Sequence, residues 1–131
     1  MSALPITGLY AGLLALLAVV LTVRVVSLRR RLRISIGDGG NDDLAHRIRV
    51  HGNFIETVPL ALILLGLCEA GNLSIYALHA LGVMLIAGRI SHAVALERGI
   101  LRPRVAGMAL TFVCFLLPAL WLIWRFVLSL A

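Results

Sequence analysis

Apolar residues in this chain do not alternate with polar ones or recur at a helical spacing. They run in long stretches, and polar residues collect at the ends of those stretches. The first stretch, Ile6 to Val26, closes on Arg29-Arg30-Arg31-Leu32-Arg33. A hydrocarbon core of about 30 Å is crossed by about 20 helical residues. That stretch alone is long enough. Applied along the chain, the same criterion predicts four spanning helices at residues 6–33, 42–70, 73–96 and 104–130.

The connectors follow from local chemistry. Ile36-Gly37-Asp38-Gly39-Gly40-Asn41 is a turn, with glycines available for positive φ. Asn41 then supplies an N-cap, and Asp42 and Asp43 place acidic groups in the first helical turn. Gly71-Asn72 makes a short second turn. The third connector, Glu97 to Pro103, is polar and broken by Gly99 and Pro103. Pro118 lies inside the last span, where neighbouring helices can satisfy the freed carbonyl. The second span is unusual. Its strictly apolar part, Val58 to Cys68, covers about half a membrane thickness, so its polar half protrudes, sits against other helices, or does both.

Composition agrees with this picture. The 131 residues are 61% hydrophobic and 14% charged, which marks a single integral membrane domain over 1–131 rather than a soluble fold. The net charge of +6 would suit nucleic acid, but the basic residues flank apolar runs, where they set topology and meet lipid headgroups. Nucleic acid is therefore excluded as a partner. Every basic residue is an arginine, and arginines crowd the first and third connectors, while the second connector and the amino terminus have none. The positive-inside rule turns those connectors to the cytoplasm and both termini away from it, with Arg125 as an exception able to snorkel outward. Met1 to Thr7 carries no positive charge, so the first span is expected to be retained rather than cleaved as a signal peptide. Cys68 and Cys114 lack metal spacing and read as small buried hydrophobes, and no metal site is expected. Gly37, Gly39 and Gly40 follow no strand, so they form a loop and not a phosphate cradle.

The chemically loaded stretch runs from Arg47 to Pro59. Arg49, Asn53 and Glu56 stand at i, i+4 and i+7, which puts them on one helical face. Such groups are costly in lipid unless they face a bundle interior, a partner or a ligand. The predicted orientation adds Arg47, His51, Arg89, His92, Arg104, Arg29 and Arg30 at the same membrane level. Several arginines with one carboxylate and one amide suit a polar anionic molecule: Glu56 for an ammonium, Asn53 for an amide, arginines for carboxylates. Structural readings stand beside this. Arg29 to Arg33 forms a stop-transfer cluster, Arg98 and Arg102 meet solvent or headgroups, and Arg89 can pair with Glu56 or Glu97. His79 is structural, and His46 faces water.

The pattern Arg47-x-Arg49-x-His51-x-Asn53-x-x-Glu56-x-x-Pro59 resembles the second-helix signature of the MAPEG family, the membrane-associated proteins in eicosanoid and glutathione metabolism. Gly88-Arg89-x-x-His92 is similar to the third-helix run of the family's prostaglandin E synthases. Ser27-Leu28-Arg29-Arg30 resembles the leukotriene synthases, and the glycine-rich turn at 36–41 the short bacterial branch. The resemblance implies a homotrimer of four-helix subunits in the bacterial inner membrane, binding glutathione between neighbours. It assigns Arg49, Asn53, Glu56 and His92 to glutathione, with Arg29 or Arg30 reaching in from the adjacent subunit. Arg104 is the implied partner of the glutathione thiolate. Arg102 is the other candidate, and Arg104 is preferred because it is expected to open the fourth helix. The chain departs from the family at two positions, with Leu96 and Thr57 where tyrosines are common.

The leading expectation is a glutathione transferase or peroxidase that turns the thiolate on lipophilic electrophiles or lipid hydroperoxides from the bilayer. The alternative is a non-catalytic membrane scaffold or anion-binding protein with the same fold, prompted by the two missing hydroxyls. A proton-coupled transporter using Glu56, Arg89 and His92 fits less well, because the third and fourth helices carry no acidic residue at mid-membrane depth.

Overall fold

The computed structural model describes residues 4–97 and 101–130. They form α1 (Pro5–Leu32), α2 (Asp42–Ala70), α3 (Ile75–Glu97) and α4 (Leu101–Ser129), each long and apolar enough to cross a membrane. Residues 98–100, including Arg98, lie outside the described residues.

The helix ends explain the boundaries. Pro5 opens α1 at a position where its missing N–H costs nothing. The next two amides are satisfied from a distance: Ile6 N–H and Thr7 N–H donate to the Glu69 carboxylate at 2.9 and 2.7 Å. A carboxylate at a helix N-terminus contributes roughly 0.3–1 kcal/mol. Glu69 closes α2, so this contact also fixes α1 and α2 as antiparallel. α1 ends at Arg33 in the left-handed region, whose N–H returns to the Arg29 and Arg30 carbonyls. Asn41 caps α2 as its sequence position requires, its side chain accepting from Leu44 N–H at 2.9 Å.

Two starts differ from the sequence expectation by more than one residue. α3 begins at Ile75 rather than at residue 73, because the Ser74 hydroxyl accepts from Ala77 N–H at 3.2 Å and so acts as its cap. α4 is already helical at Leu101, three positions before the expected start at residue 104. Pro103 lies in its first turn instead of breaking a connector, since a first-turn N–H has no partner to lose. Arg104 therefore sits at the end of that first turn and does not open the helix.

Packing is tightest between α3 and α4. A Cβ at Gly107 would stand 2.6 Å from the Gly88 carbonyl oxygen, so only glycine lets the two backbones approach this closely. α1 buries a narrow stripe, Tyr10, Leu14, Leu21 and Leu28, whose near-heptad spacing keeps one seam against its neighbours. Leu14 and Leu21 join Val50, Phe54, Val58, Ala61 and Leu85 in the main core. Tyr10 ties α1 to α3, its hydroxyl lying 2.9 Å from His79 Nδ1 and 3.1 Å from the His79 carbonyl oxygen. Its ring occupies the space a side chain at Gly82 would need. Among the described residues the backbones of α1 and α4 do not approach each other. The outer faces carry Leu13, Leu16, Val20, Phe112, Leu116 and Ile123, a surface suited to acyl chains and not to water.

Candidate functional site

The polar half of α2 divides into two faces. Arg47 and His51, four residues apart, turn towards α1. Arg47 Nη1 donates to the Arg24 carbonyl at 3.3 Å, while Nη2 pairs with Asp43 at 3.1 Å. His51 Nε2 lies 3.0 Å from Thr22 Oγ1. That hydroxyl donates its hydrogen to the Ala18 carbonyl at 2.9 Å, so the imidazole is the donor of the pair. The opposite face of α2 presents Arg49, Gly52, Asn53 and Glu56 to a cleft of about 330 Å³, closed by His92 from α3 and by Arg104 and Met108 from α4. Such a volume lies at the small end of the range for small-molecule sites.

Behind the cleft stands Arg89, only 1% exposed. Its Nη2 donates to Asn53 Oδ1 at 2.5 Å and to His92 Nδ1 at 3.2 Å, and its Nη1 donates to Thr111 Oγ1 at 3.3 Å. Thr111 in turn donates to the Gly107 carbonyl at 3.0 Å. Arg89 Nε is buried with no hydrogen-bond partner among the described residues. Arginine has donors only, which decides the orientation of everything it touches. Asn53 must offer Arg89 its oxygen, leaving its amide N–H groups for the cleft. His92 must accept at Nδ1, which leaves the proton on Nε2.

The expected pairing of Arg89 with Glu56 is not what forms. The guanidinium takes the Asn53 amide instead, one turn earlier on α2. Glu97, the other expected partner, has a side chain outside the described residues. Glu56 is exposed at the cleft, and among the described residues Arg49, Glu56 and Arg104 have no hydrogen bond or ion pair. The cleft thus holds two guanidinium groups and one carboxylate with their hydrogen-bonding capacity unspent, backed by a third, buried guanidinium. A Cβ at Gly52 would meet nothing within 4 Å, because the open space there is the cleft itself.

Of the residues singled out in the sequence, Arg49, Asn53, Glu56, His92 and Arg104 come together in one cleft. Arg102 is exposed and lines no part of it. Arg29 and Arg30 do not reach it within the same chain. They line a separate open hollow with Arg33, Ile34 and Ser35, where Arg29 Nη1 donates to the Ser35 carbonyl at 3.3 Å. Thr57 turns its hydroxyl back onto its own helix, donating to the Asn53 carbonyl at 2.7 Å. Sequence reasoning missed Thr111, Gly52 and the Gly88–Gly107 crossing. The one available signal was the Gly107-x-x-x-Thr111 spacing, which puts a small and a polar residue on the same face of α4.

Comparison with known proteins agrees with this architecture. The chain is 36% identical over 119 residues to the inner membrane protein YecN of Escherichia coli K12, an alignment spanning 91% of each chain. YecN of Escherichia coli O6:H1 gives the same figures. With four membrane-length helices and this relative, the protein is an integral protein of the inner membrane. The model of the MAPEG family matches residues 7–124, nearly the whole chain, and the protein is a member of the MAPEG family.

Proposed function

We propose that the cleft binds glutathione and serves a transferase or peroxidase reaction on lipophilic electrophiles or lipid hydroperoxides. The observation that carries this reading is the set of unspent groups at the cleft: Arg49, Glu56 and Arg104, with Asn53 and His92 oriented by Arg89. Glutathione offers two carboxylates, an ammonium, two amides and a thiol. Arg49 suits a carboxylate and Glu56 the ammonium. The free N–H of Asn53 and the Nε2–H of His92 both donate, which suits peptide or carboxylate oxygens. Bound there, glutathione would supply a thiolate nucleophile. Arg104 stands on the α4 side of the cleft, and a guanidinium beside a thiol lowers its pKa from about 8.5, raising the thiolate fraction at neutral pH. The assembly proposed is a homotrimer, in which Arg29 or Arg30 of a neighbouring subunit completes the site.

The test is native mass spectrometry of the detergent-purified protein, titrated with glutathione and with a charge-matched tripeptide lacking the thiol. Selective uptake of glutathione by a trimer is the expected result. A protein that takes up neither ligand, or is not trimeric, would overturn the reading.

A second reading, anion binding without turnover, is favoured by one observation. Among the described residues no hydroxyl group lines the cleft, and that of Thr57 is spent on the Asn53 carbonyl. Thiol activation would then rest on Arg104 alone. Conjugation of an aryl halide, lost in Arg104→Ala, would exclude this second reading. Glutathione-dependent thermal stabilisation with no conjugate would support it.

A further inference from the structure

The opposite end of the bundle, where α2 and α4 finish and α3 begins, carries a second polar feature. Arg125 donates from Nη1 to the Gly71 carbonyl at the C-terminus of α2, and its guanidinium stacks 5.0 Å over the Trp121 ring. A Cβ at Gly71 would stand 2.5 Å from Arg125 Nη1 and 2.9 Å from the Trp121 ring, so a larger residue there would displace both side chains. Around this pair lies a hollow of about 440 Å³ lined by Asn72, Trp121, Trp124, Arg125 and Ser129. Trp121 also forms the wall of an adjoining groove of about 380 Å³ between α3 and α4. That groove is lined by Ala77, Ala80, Met84, Leu117 and Pro118 and is almost wholly apolar.

We infer that the two spaces form one site for a glycerophospholipid of the leaflet at this end, with its phosphate on Arg125 and one acyl chain in the α3–α4 groove. Charge supports the first half. One Arg125 donor goes to Gly71, and the guanidinium keeps further N–H groups for an anion. The acidic side chain at this end is Glu69, and both of its oxygens are committed to the amides of Ile6 and Thr7. Nothing else negative therefore competes for Arg125 among the described residues. Length supports the second half. From Ser129 at the rim to Leu117 in the groove, α4 advances by twelve positions, about 18 Å at a rise of about 1.5 Å per residue. That is close to one leaflet's share of a hydrocarbon core of about 30 Å. The tryptophans stand at the polar end of the groove, the depth at which indole rings settle in a bilayer. A free phosphate would use the hollow and leave the groove without purpose. A bare hydrocarbon would do the reverse.

The experiment is native mass spectrometry of delipidated protein titrated with phosphatidylglycerol, with diacylglycerol (no phosphate) and with glycerol phosphate (no chains). Phosphatidylglycerol is expected to bind at one molecule per chain, at least roughly tenfold tighter than either fragment. Arg125→Gln should weaken it by a similar factor. Ala80→Phe, at an exposed position, should fill the groove and weaken it while leaving Arg125 in place, which keeps the test intact if Arg125→Gln does not fold. Glycerol phosphate binding as tightly as the lipid would reduce the site to an anion hollow and overturn the proposal. Equal binding of diacylglycerol, or wild-type binding by Ala80→Phe, would overturn it too.

Discussion

Arg89 Nη2 and Asn53 Oδ1 are 2.5 Å apart, and this hydrogen bond joins α3 to α2 directly behind the cleft. It makes a buried cation the organiser of two neutral side chains. Replacing Arg89 by an apolar side chain of similar volume removes a buried charge but leaves Asn53 Oδ1 and His92 Nδ1 without their donor, at roughly 1–3 kcal/mol for a buried group left unsatisfied, so the two effects oppose each other. Arg89→Met should therefore change unfolding stability by no more than about 2 kcal/mol. Glutathione affinity should nonetheless fall roughly tenfold, because Asn53 and His92 lose the group that fixes their orientation. Thermal unfolding in detergent and a binding titration on the same preparation separate the two effects. Unchanged affinity would remove Arg89 from the site.

Arg49 and Glu56 are exposed and unpaired among the described residues, so they contribute little to the fold. Arg49→Ala and Glu56→Gln should each leave stability within about 0.5 kcal/mol of wild type and still abolish measurable glutathione binding. Titration calorimetry gives the second quantity. Wild-type affinity in both variants would sink the assignment of the cleft.

Gly52 offers the reciprocal experiment. Its missing side chain would point into open space, and a helix-interior glycine is unfavourable by roughly 0.8–1.0 kcal/mol relative to alanine. Gly52→Leu should raise stability slightly and block the ligand. A variant that becomes more stable and still binds would place the ligand elsewhere.

Gly107 has the opposite character. A Cβ there would meet backbone, the Gly88 carbonyl at 2.6 Å and His92 N at 2.8 Å, and neither can swing aside. Gly107→Ala should cost roughly 1–3 kcal/mol and part α3 from α4, drawing His92 away from Arg104. The expected signature is loss of stability and of binding together, in contrast to Gly52→Leu.

Glu69 tests the far end of the fold. Glu69→Gln keeps the shape but removes the charge from the α1 N-terminus and turns an NH2 donor onto one of the two amides, a loss of roughly 1–3 kcal/mol. Hydrogen exchange at the Ile6 and Thr7 amides should quicken while the rest of α1 is unchanged. Uniform protection would show that the carboxylate is not what holds those amides.

What the sequence made legible follows from the range of each interaction. The four spans, the Asn41 cap and the Arg49–Asn53–Glu56 face rest on neighbours within two helical turns, so they can be read locally. The partner of Arg89 depends on how α3 is rotated against α2, and no local pattern encodes that. Glutamate looked the better electrostatic match, yet geometry delivered asparagine. Glu69 bonds backbone amides more than sixty positions away, where any residue type would look the same. Pro103 reads as a break in the third connector, yet proline also begins helices, and only the fold reveals that it sits in the first turn of α4.

Among the described residues, those that line the cleft and those that bond Arg89 come from α2, α3 and α4, while α1 packs on α2 and α3 and its backbone does not approach α4. The chain is therefore modular within a single domain. The outward face of α1 is free to drift with bilayer thickness and lipid composition at no cost to ligand recognition in its own chain. Within one subunit, the lipid-facing side of α1 can change apart from the cleft, and only Arg29 and Arg30, proposed to reach a neighbour's cleft, tie that helix to the ligand.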